Sequence, residues 1–315
     1  MFRRIIVPLD GSVESNSALP VARTLARGTG SSVTLLRVRS RGESTQDLTA
    51  ALERIARELA SSEVQVRAVV RDGQPAHEIL DEVRAQDAGL VIMRTHGRSG
   101  IERAVLGSTA QQVLAATHVP IVFVRPGERR LDHLRTMLVP LDGSPGGAIG
   151  LGAAVGLAQA TGAALRLLEV VIPIPMYIFE SAAWSGGVFV DPAWDAEGLA
   201  AAQAYVASIG ARLAERVSDV KGEAIMSRSV GEAIVRRASE QSVDLIVMSS
   251  HALTGVARAV LGSVADEVVR KADCPVLVVH ASDRAAQPAA TSDPAGPVSQ
   301  EGSINPASRH AQEQV

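Results

Sequence analysis

Residues 3–12 read RRIIVPLDGS, and residues 135–144 read RTMLVPLDGS. After its first two residues, each stretch has a short, continuous run of apolar residues, which is typical of a strand buried on both faces of a parallel sheet. Each ends in Asp-Gly-Ser, a sequence that favours a turn. The chain therefore carries the same strand-and-turn unit twice, which indicates a duplicated fold.

Further paired stretches define the extent of the duplication. LLRV at 35–38 returns as LLEV at 167–170, and AVLGS at 104–108 returns at 259–263. The offset is 132 residues for the first pair and 155 for the second, so the second copy is 23 residues longer. We assign the extra residues to an insertion at about 173–195.

Each copy alternates strand-like and helix-like segments. Amphipathic stretches lie between the predicted strands. One of them, QPAHEILDEVRAQ at 74–86, has a proline near its start, where the missing N–H costs nothing. This alternation predicts an α/β fold: two repeats of a five-stranded parallel sheet with helices on both faces. In the first copy the predicted strands are 3–9, 32–38, 64–70, 90–93 and 120–124.

The same pattern predicts the domain organisation. The first domain covers residues 1–126, a charged and solvated linker covers 127–134, and the second domain covers 135–280. Residues 281–315 are rich in Ala, Pro, Ser and Gln and poor in large apolar residues. Such a segment cannot bury enough surface to offset its ordering entropy, so we predict a disordered tail.

Composition excludes several classes of function. The chain of 315 residues has a net charge of −3 and only 3% aromatic residues, so we expect no nucleic-acid partner. No apolar run reaches the ~20 residues that a membrane helix needs, so we expect no membrane partner and a cytoplasmic location. The single cysteine, Cys274, fits a reducing compartment and is expected to be a small buried hydrophobe.

Two features fall at predicted strand ends, where parallel sheets bind ligands. Asp10 follows the first strand, and its carboxylate could accept hydrogen bonds from ribose hydroxyls. The alternative is that it only shapes its own turn. A glycine-bearing loop follows the fourth strand, and Gly107 opens a helix whose first N–H groups could bind an anion. Arg98 and Arg103 add positive charge nearby.

These motifs resemble those of the universal stress protein family. The likeness covers about residues 2–125 and 134–280, as two fused domains, and rests on IIVPLDGS, THGRSG, AVLGSTA, VPIVFV and their counterparts. It implies the Rossmann-type, adenine-nucleotide alpha-hydrolase-like fold and binding of ATP, with which Mg²⁺ could be bound. It also implies that the last strands of the two domains pair within the chain, and a further homodimer is expected.

The resemblance assigns site residues, together with the basic Arg98. In the first domain they are Pro8, Leu9, Asp10, Val38, Met93, Arg94, His96, Gly97, Arg98, Gly107, Ser108 and Thr109. In the second domain they are Pro140, Leu141, Asp142, Val170, Met248, Ser249, His251, Gly262, Ser263 and Val264. We predict no catalytic residues and no metal site built by the protein itself.

The chain departs from the family's glycine pattern at three places. Arg94 replaces the first loop glycine in domain 1, while Ser249 and Ala252 replace the first and second in domain 2. An alanine forced into left-handed geometry costs roughly 1–2 kcal/mol. We therefore expect ATP mainly at domain 1 and a weakened site in domain 2. His96 and His251 are interpreted as residues that shape the loops.

The sequence is compatible with three functions. The first is a nucleotide-dependent stress sensor or regulator without a fast reaction. The second is an interaction module that uses the same fold as a platform for partners, and the third is a slow ATPase. The insertion, which with its flanks holds five of the eight aromatic residues, could be a lid or a docking surface. Alternatively, it packs these aromatic residues onto its own domain.

Overall fold

The computed structural model describes residues 2–95, 106–125, 127–129, 131–173, 193–250 and 261–280. The first half folds as β1 (Arg4–Leu9), α1 (Ala18–Thr29), β2 (Ser32–Arg39), α2 (Thr45–Leu59), β3 (Val66–Asp72), α3 (Pro75–Ala85), β4 (Leu90–Arg94), α4 (Ser108–Ala116) and β5 (Ile121–Val124). The five strands predicted from the sequence are present, and each lies within two residues of the expected bounds.

The second half repeats this order. It consists of β6 (Thr136–Leu141), α5 (Ile149–Thr161), β7 (Ala164–Val171), α6 (Ala193–Leu213), β8 (Val220–Met226), α7 (Val230–Glu240), β9 (Leu245–Ser249), α8 (Ser263–Lys271) and β10 (Val276–Val279).

The ten strands of the described residues form one sheet, in the order β3-β2-β1-β4-β5-β10-β9-β6-β7-β8. Neighbouring strands within each half are parallel, whereas β5 and β10 are antiparallel. The predicted α/β fold class is thus confirmed. In each half the strand order changes direction between the first and fourth strands, and such a switch point is where parallel sheets bind ligands.

Helices cover both faces of the sheet because consecutive strand residues bury opposite sides. Ile5 and Val7 belong to one buried cluster and Ile6 to the other, and all three are fully buried. Helices α1, α2, α5 and α6 pack into the first cluster, and α3, α4, α7 and α8 pack into the second. Their buried side chains include Leu25, Leu52, Leu151 and Val206 in the first, and Ile79, Val113, Ile234 and Val268 in the second.

The two halves meet where β5 pairs with β10. Phe123 lies opposite Val276 and Val122 opposite Leu277, and all four side chains are buried. The last strands therefore pair within one chain, as the family resemblance implies. Cys274 precedes β10 and is 1% exposed, and burial raises the pKa of its thiol to about 12. It behaves as the small buried hydrophobe expected from the sequence.

The connector between the halves is exposed over much of its length, as expected of a solvated linker, but two of its leucines are buried. Leu131 and Leu134 are buried in the same cluster as α1 and α5, and the Thr24 hydroxyl donates a hydrogen bond to the Leu131 carbonyl at 2.8 Å. The Arg129 N–H donates to the Asp273 carbonyl at 2.9 Å. Two leucines among charged residues were enough to anchor the segment.

The longer second copy is explained in part by a longer helix. Helix α6 has 21 residues, whereas its counterpart α2 has 15, and both precede the third strand of their half. The expected insertion at 173–195 therefore ends inside α6, which begins at Ala193. Residues 174–192 and the tail, 281–315, lie outside the described residues. No helix in the described ranges is both long enough and apolar enough to cross a membrane.

Candidate functional site

The carboxyl ends of β1, β2 and β4 and the start of α4 surround a cavity of about 300 Å³. Nine residues predicted for the domain 1 site line it: Pro8, Leu9, Asp10, Val38, Met93, Arg94, Gly107, Ser108 and Thr109. His96, Gly97 and Arg98 lie outside the described residues. The structure thus brings together every predicted domain 1 residue that it describes, and their role in binding stays a prediction.

Asp10 shapes a tight turn and also lines the cavity. Its Oδ1 accepts hydrogen bonds from the Ser12 N–H at 2.9 Å and from the Ser12 hydroxyl at 2.6 Å. Gly11, between them, has a φ of 80°, a conformation that favours glycine. Asp10 therefore shapes its own turn, as the alternative interpretation expected. Its position at the cavity is also compatible with the predicted role in binding ribose.

The start of α4 presents backbone donors to the cavity. Gly107 is the N-cap, and no side chain caps the first turn, so the N–H groups at this end lack side-chain partners from the cap. The Gly107 N–H itself donates to the Thr95 carbonyl at 2.7 Å, which ties the helix start to the end of β4. Ser108 and Thr109 add hydroxyls beside these N–H groups, which is the composition of an anion site.

The glycine at the start of α8 packs closely against the preceding strand end. Gly107 and Gly262 have φ values of −58° and −60°, which any residue can adopt, so positive φ does not explain them. A Cβ on Gly262 would lie 3.3 Å from the Ser250 carbonyl oxygen. Neither glycine is required by a left-handed backbone, and at Gly262 the close approach of the preceding strand end favours glycine.

Arg37 is a cavity residue that sequence reasoning missed. It is 5% exposed, and its Nη2 donates to Glu43 Oε1 at 2.8 Å while Nη1 lies 3.4 Å from the Leu9 carbonyl oxygen. The signal was present in the sequence, since LLRV in the first copy becomes LLEV in the second. The other lining residues that were not predicted are Ser15, Leu36, Ser40, Pro75, Ile79, Thr95 and Ala110.

Arg94 places a second guanidinium at the cavity. Its Nε is buried and has no hydrogen-bond partner among the described residues. Arg37 also lines the cavity but is paired with Glu43 at 2.8 Å, so Arg94 is the better placed of the two guanidinium groups to bind phosphate. The substitution of the first loop glycine by Arg94 thus adds positive charge at the cavity.

Domain 2 repeats the backbone of this site. The Ser144 N–H and hydroxyl donate to Asp142 Oδ1 at 3.0 and 2.7 Å, and the Gly262 N–H donates to the Ser250 carbonyl at 3.0 Å. The second-domain residues that the structure describes hold equivalent strand-end and helix-start positions: Pro140, Leu141, Asp142, Val170, Met248, Ser249, Gly262, Ser263 and Val264. His251 lies outside the described residues.

The charge of the second site is different. Glu169 pairs with Leu141 in the sheet, as Arg37 pairs with Leu9, so a carboxylate occupies the arginine position. Ser249 ends β9 where Arg94 ends β4. Burial, and then the neighbouring carboxylate of Asp142, raise the pKa of Glu169 to about 7. The two sites therefore share a backbone frame but differ in electrostatics.

A larger cavity, of about 520 Å³, lies at the opposite edge of domain 1. It is lined by the beginnings of β1–β3 and the end of α3, and includes an exposed ion pair between Arg4 and Asp87 at 3.2 Å. No predicted site residue lines it. We place the candidate site at the carboxyl edge because the helix start and the switch point of the sheet converge there.

A tandem α/β protein with a ligand-sized cavity at the carboxyl edge of its sheet is the class that this fold and site define. The sequence profile of the universal stress protein family matches residues 1–125 and again 133–280. The chain therefore belongs to the universal stress protein family and contains two tandem domains of it.

Individual relatives agree with this assignment. Universal stress protein YxiE of Bacillus subtilis is 28% identical over 148 residues, which cover 40% of this chain and 100% of that protein. A universal stress protein of Mycolicibacterium smegmatis is 27% identical over 217 residues, 68% of this chain and 69% of its own. The crystal structure of a universal stress protein from Archaeoglobus fulgidus shares the fold, with a TM-score of 0.64 at 18% identity over 88% of this chain and 98% of its own.

Proposed function

We propose that this protein binds an adenine nucleotide, ATP, at the domain 1 cavity and acts as a nucleotide-dependent sensor or regulator in the cytoplasm. The observation that carries the proposal is the convergence of nine predicted residues, from four separate elements, on one cavity of about 300 Å³. Membership of the universal stress protein family supports it.

The chemistry of the cavity wall suits the parts of ATP. Asp10 accepts hydrogen bonds from ribose hydroxyls, and Val38 and Met93 offer apolar contact for the adenine ring. The start of α4, with Ser108 and Thr109, receives the phosphates. A Mg²⁺ ion, if it accompanies ATP, is held mainly by the phosphates, since the described residues contain no group of three or more His, Cys, Asp or Glu side chains suited to a metal.

The proposed role is regulatory, without a fast reaction. The sequence offers no nucleophile paired with a base beside the cavity, and slow hydrolysis of ATP is the less favoured alternative. Domain 2 has Ser249 where domain 1 has Arg94, and Ala252, in the loop outside the described residues, replaces a family glycine. Domain 2 is therefore the weaker nucleotide site.

The nucleotide content of the purified protein tests this proposal. After denaturation of the protein, chromatography of the supernatant should detect ATP, ADP or AMP, or the emptied protein should bind ATP in a calorimeter. A protein that carries no nucleotide and shows no heat of binding with ATP would refute the proposal. That result would favour an interaction module with the same fold.

A further inference from the structure

The two sites differ most sharply at one sheet position. Arg37 on β2 and Glu169 on β7 hold the same register against the first strand of their half, opposite Leu9 and Leu141 respectively. The turns beside them are alike, because Asp10 and Asp142 each accept two hydrogen bonds from the serine two residues later. The side chain next to an equivalent turn is therefore basic in domain 1 and acidic in domain 2.

In the described part of the chain, no basic side chain is paired with Glu169. Its Oε2 is buried and has no hydrogen-bond partner among the described residues. Its Oε1 lies 4.0 Å from the place that a Cβ on Gly143 would occupy, so the carboxylate sits against the turn that holds Asp142. By contrast, Arg37 reaches two hydrogen-bond acceptors in domain 1. Domain 2 thus holds two neighbouring carboxylates at its strand ends.

We propose that Glu169 is the specificity-determining residue of domain 2, and that its carboxylate beside Asp142 makes this site reject ligands with phosphate charge. The inference rests on the proposed function, since it presumes that the duplicated site was built for a nucleotide. Glu169 adds a charge difference between the two domains to the one made by Ser249 in place of Arg94.

The physical reason is Coulombic. A carboxylate beside Asp142 opposes the binding of a ligand with phosphate charge at the same strand ends, whereas the residue at the equivalent place in domain 1 is an arginine paired with Glu43 at 2.8 Å. Interactions of this size in a partly buried site change affinity by roughly tenfold. The repulsion acts on ATP and is nearly absent for adenosine, which has the same base and ribose but no phosphate.

The experiment measures domain 2 by itself. In a background of Asp10→Ala, which weakens domain 1, Glu169→Gln and Glu169→Arg are each titrated with ATP and with adenosine. We expect both variants to bind ATP roughly tenfold more tightly than the background protein, with adenosine affinity nearly unchanged. Glu215→Gln, an exposed change at the end of α6 remote from the strand carboxyl ends, controls for net charge.

Unchanged ATP affinity in both Glu169 variants would overturn the proposal, as would equal gains for ATP and adenosine, which indicate relief of crowding. Equal gains in ATP affinity with Glu215→Gln would also overturn it. A failure of the proposed function itself would be seen in a different measurement: the protein with an intact Asp10 would not bind ATP.

A pH series gives a second readout that a merely structural role would not change. Since the pKa of Glu169 lies at about 7, its carboxyl is mostly neutral at pH 6 and charged at pH 8. It faces Asp142 from the turn after β6 and Tyr205 from α6, and Arg212 of α6 acts on Tyr205. ATP affinity of domain 2 should rise towards pH 6, and Glu169→Gln should remove that part of the dependence. Parallel pH profiles would contradict the proposal.

Discussion

Glu128, in the connector, shows how far the fold can shift a single group. Burial raises the pKa of its carboxyl to about 8. The Arg125 N–H donates a hydrogen bond to its Oε2 at 2.8 Å, which favours the charged form and makes this increase smaller. Asp273 adds to the increase. The folded protein therefore holds this carboxyl in its neutral form near pH 7.

This shift predicts the pH dependence of stability. A carboxyl with a raised pKa in the folded state stabilises the fold fully below its ordinary pKa of 4.5, and the contribution is lost as the pH rises through about 8. Unfolding free energy, measured with urea, should fall between pH 5 and pH 8, with a Glu128 share on the order of 3 kcal/mol. Glu169, with a pKa of about 7, contributes in the same direction.

Glu128→Gln should make this decline in unfolding free energy smaller. The stability of the variant relative to the wild type should therefore increase as the pH rises. Glu215→Gln, exposed at the end of α6, serves as the control and should leave the profile unchanged. Parallel profiles for the wild type and Glu128→Gln would contradict the pKa given to this group.

Single residues also show what the sequence could and could not predict about the site. Asp10, Gly107 and their neighbours could be placed at the cavity because motif and topology agree on strand ends. Arg37 could not, because a basic residue near a strand end usually points to solvent, and only the folded chain shows it to be 5% exposed. Its exchange for Glu169 between copies was the available signal.

At the scale of elements, two glycines in domain 2 have opposite effects on stability. Gly222 in β8 lies under α6, and a Cβ there would stand 3.0 Å from the Val206 carbonyl oxygen. Gly198 lies inside α6, and a Cβ there would make an ordinary contact of 3.7 Å with Val171. The first glycine permits the helix to approach the strand, whereas the second only weakens the helix.

The matched pair of alanine variants should therefore move stability in opposite directions. Gly222→Ala should destabilise domain 2 by about 1–3 kcal/mol because the backbone must shift. Gly198→Ala should stabilise it by about 0.5–1 kcal/mol through the gain in helix propensity. Both are measured by denaturant unfolding. A stabilising Gly222→Ala would show that the close approach is not required.

Element order was largely readable from the sequence, and element length was not. Apolar runs and amphipathic stretches identified the strands of the first half, because strands buried on both faces leave little ambiguity. The extra residues of the second copy were interpreted as a loop insertion at about 173–195, yet residues 193–195 already belong to α6. The sequence before them carries a weak boundary signal, so the start of the helix could not be predicted.

At the scale of the whole molecule, the duplicated halves form one continuous sheet. The β5–β10 pairing joins the two halves, and the connector packs against both of them through Leu131 and Arg129. Such a chain can hold two inherited sites with different charges. The family resemblance predicted that the last strands pair. The buried leucines of the connector could be recognised only from the structure.

The central claim is that domain 1 is the competent nucleotide site and domain 2 the weaker one. Calorimetric titration of ATP into the nucleotide-free wild type, Asp10→Ala and Asp142→Ala tests it most directly. We expect one tight site per chain, a loss of affinity of at least about tenfold in Asp10→Ala, and little change in Asp142→Ala. Equal losses in the two variants, or two equal sites in the wild type, would contradict the account.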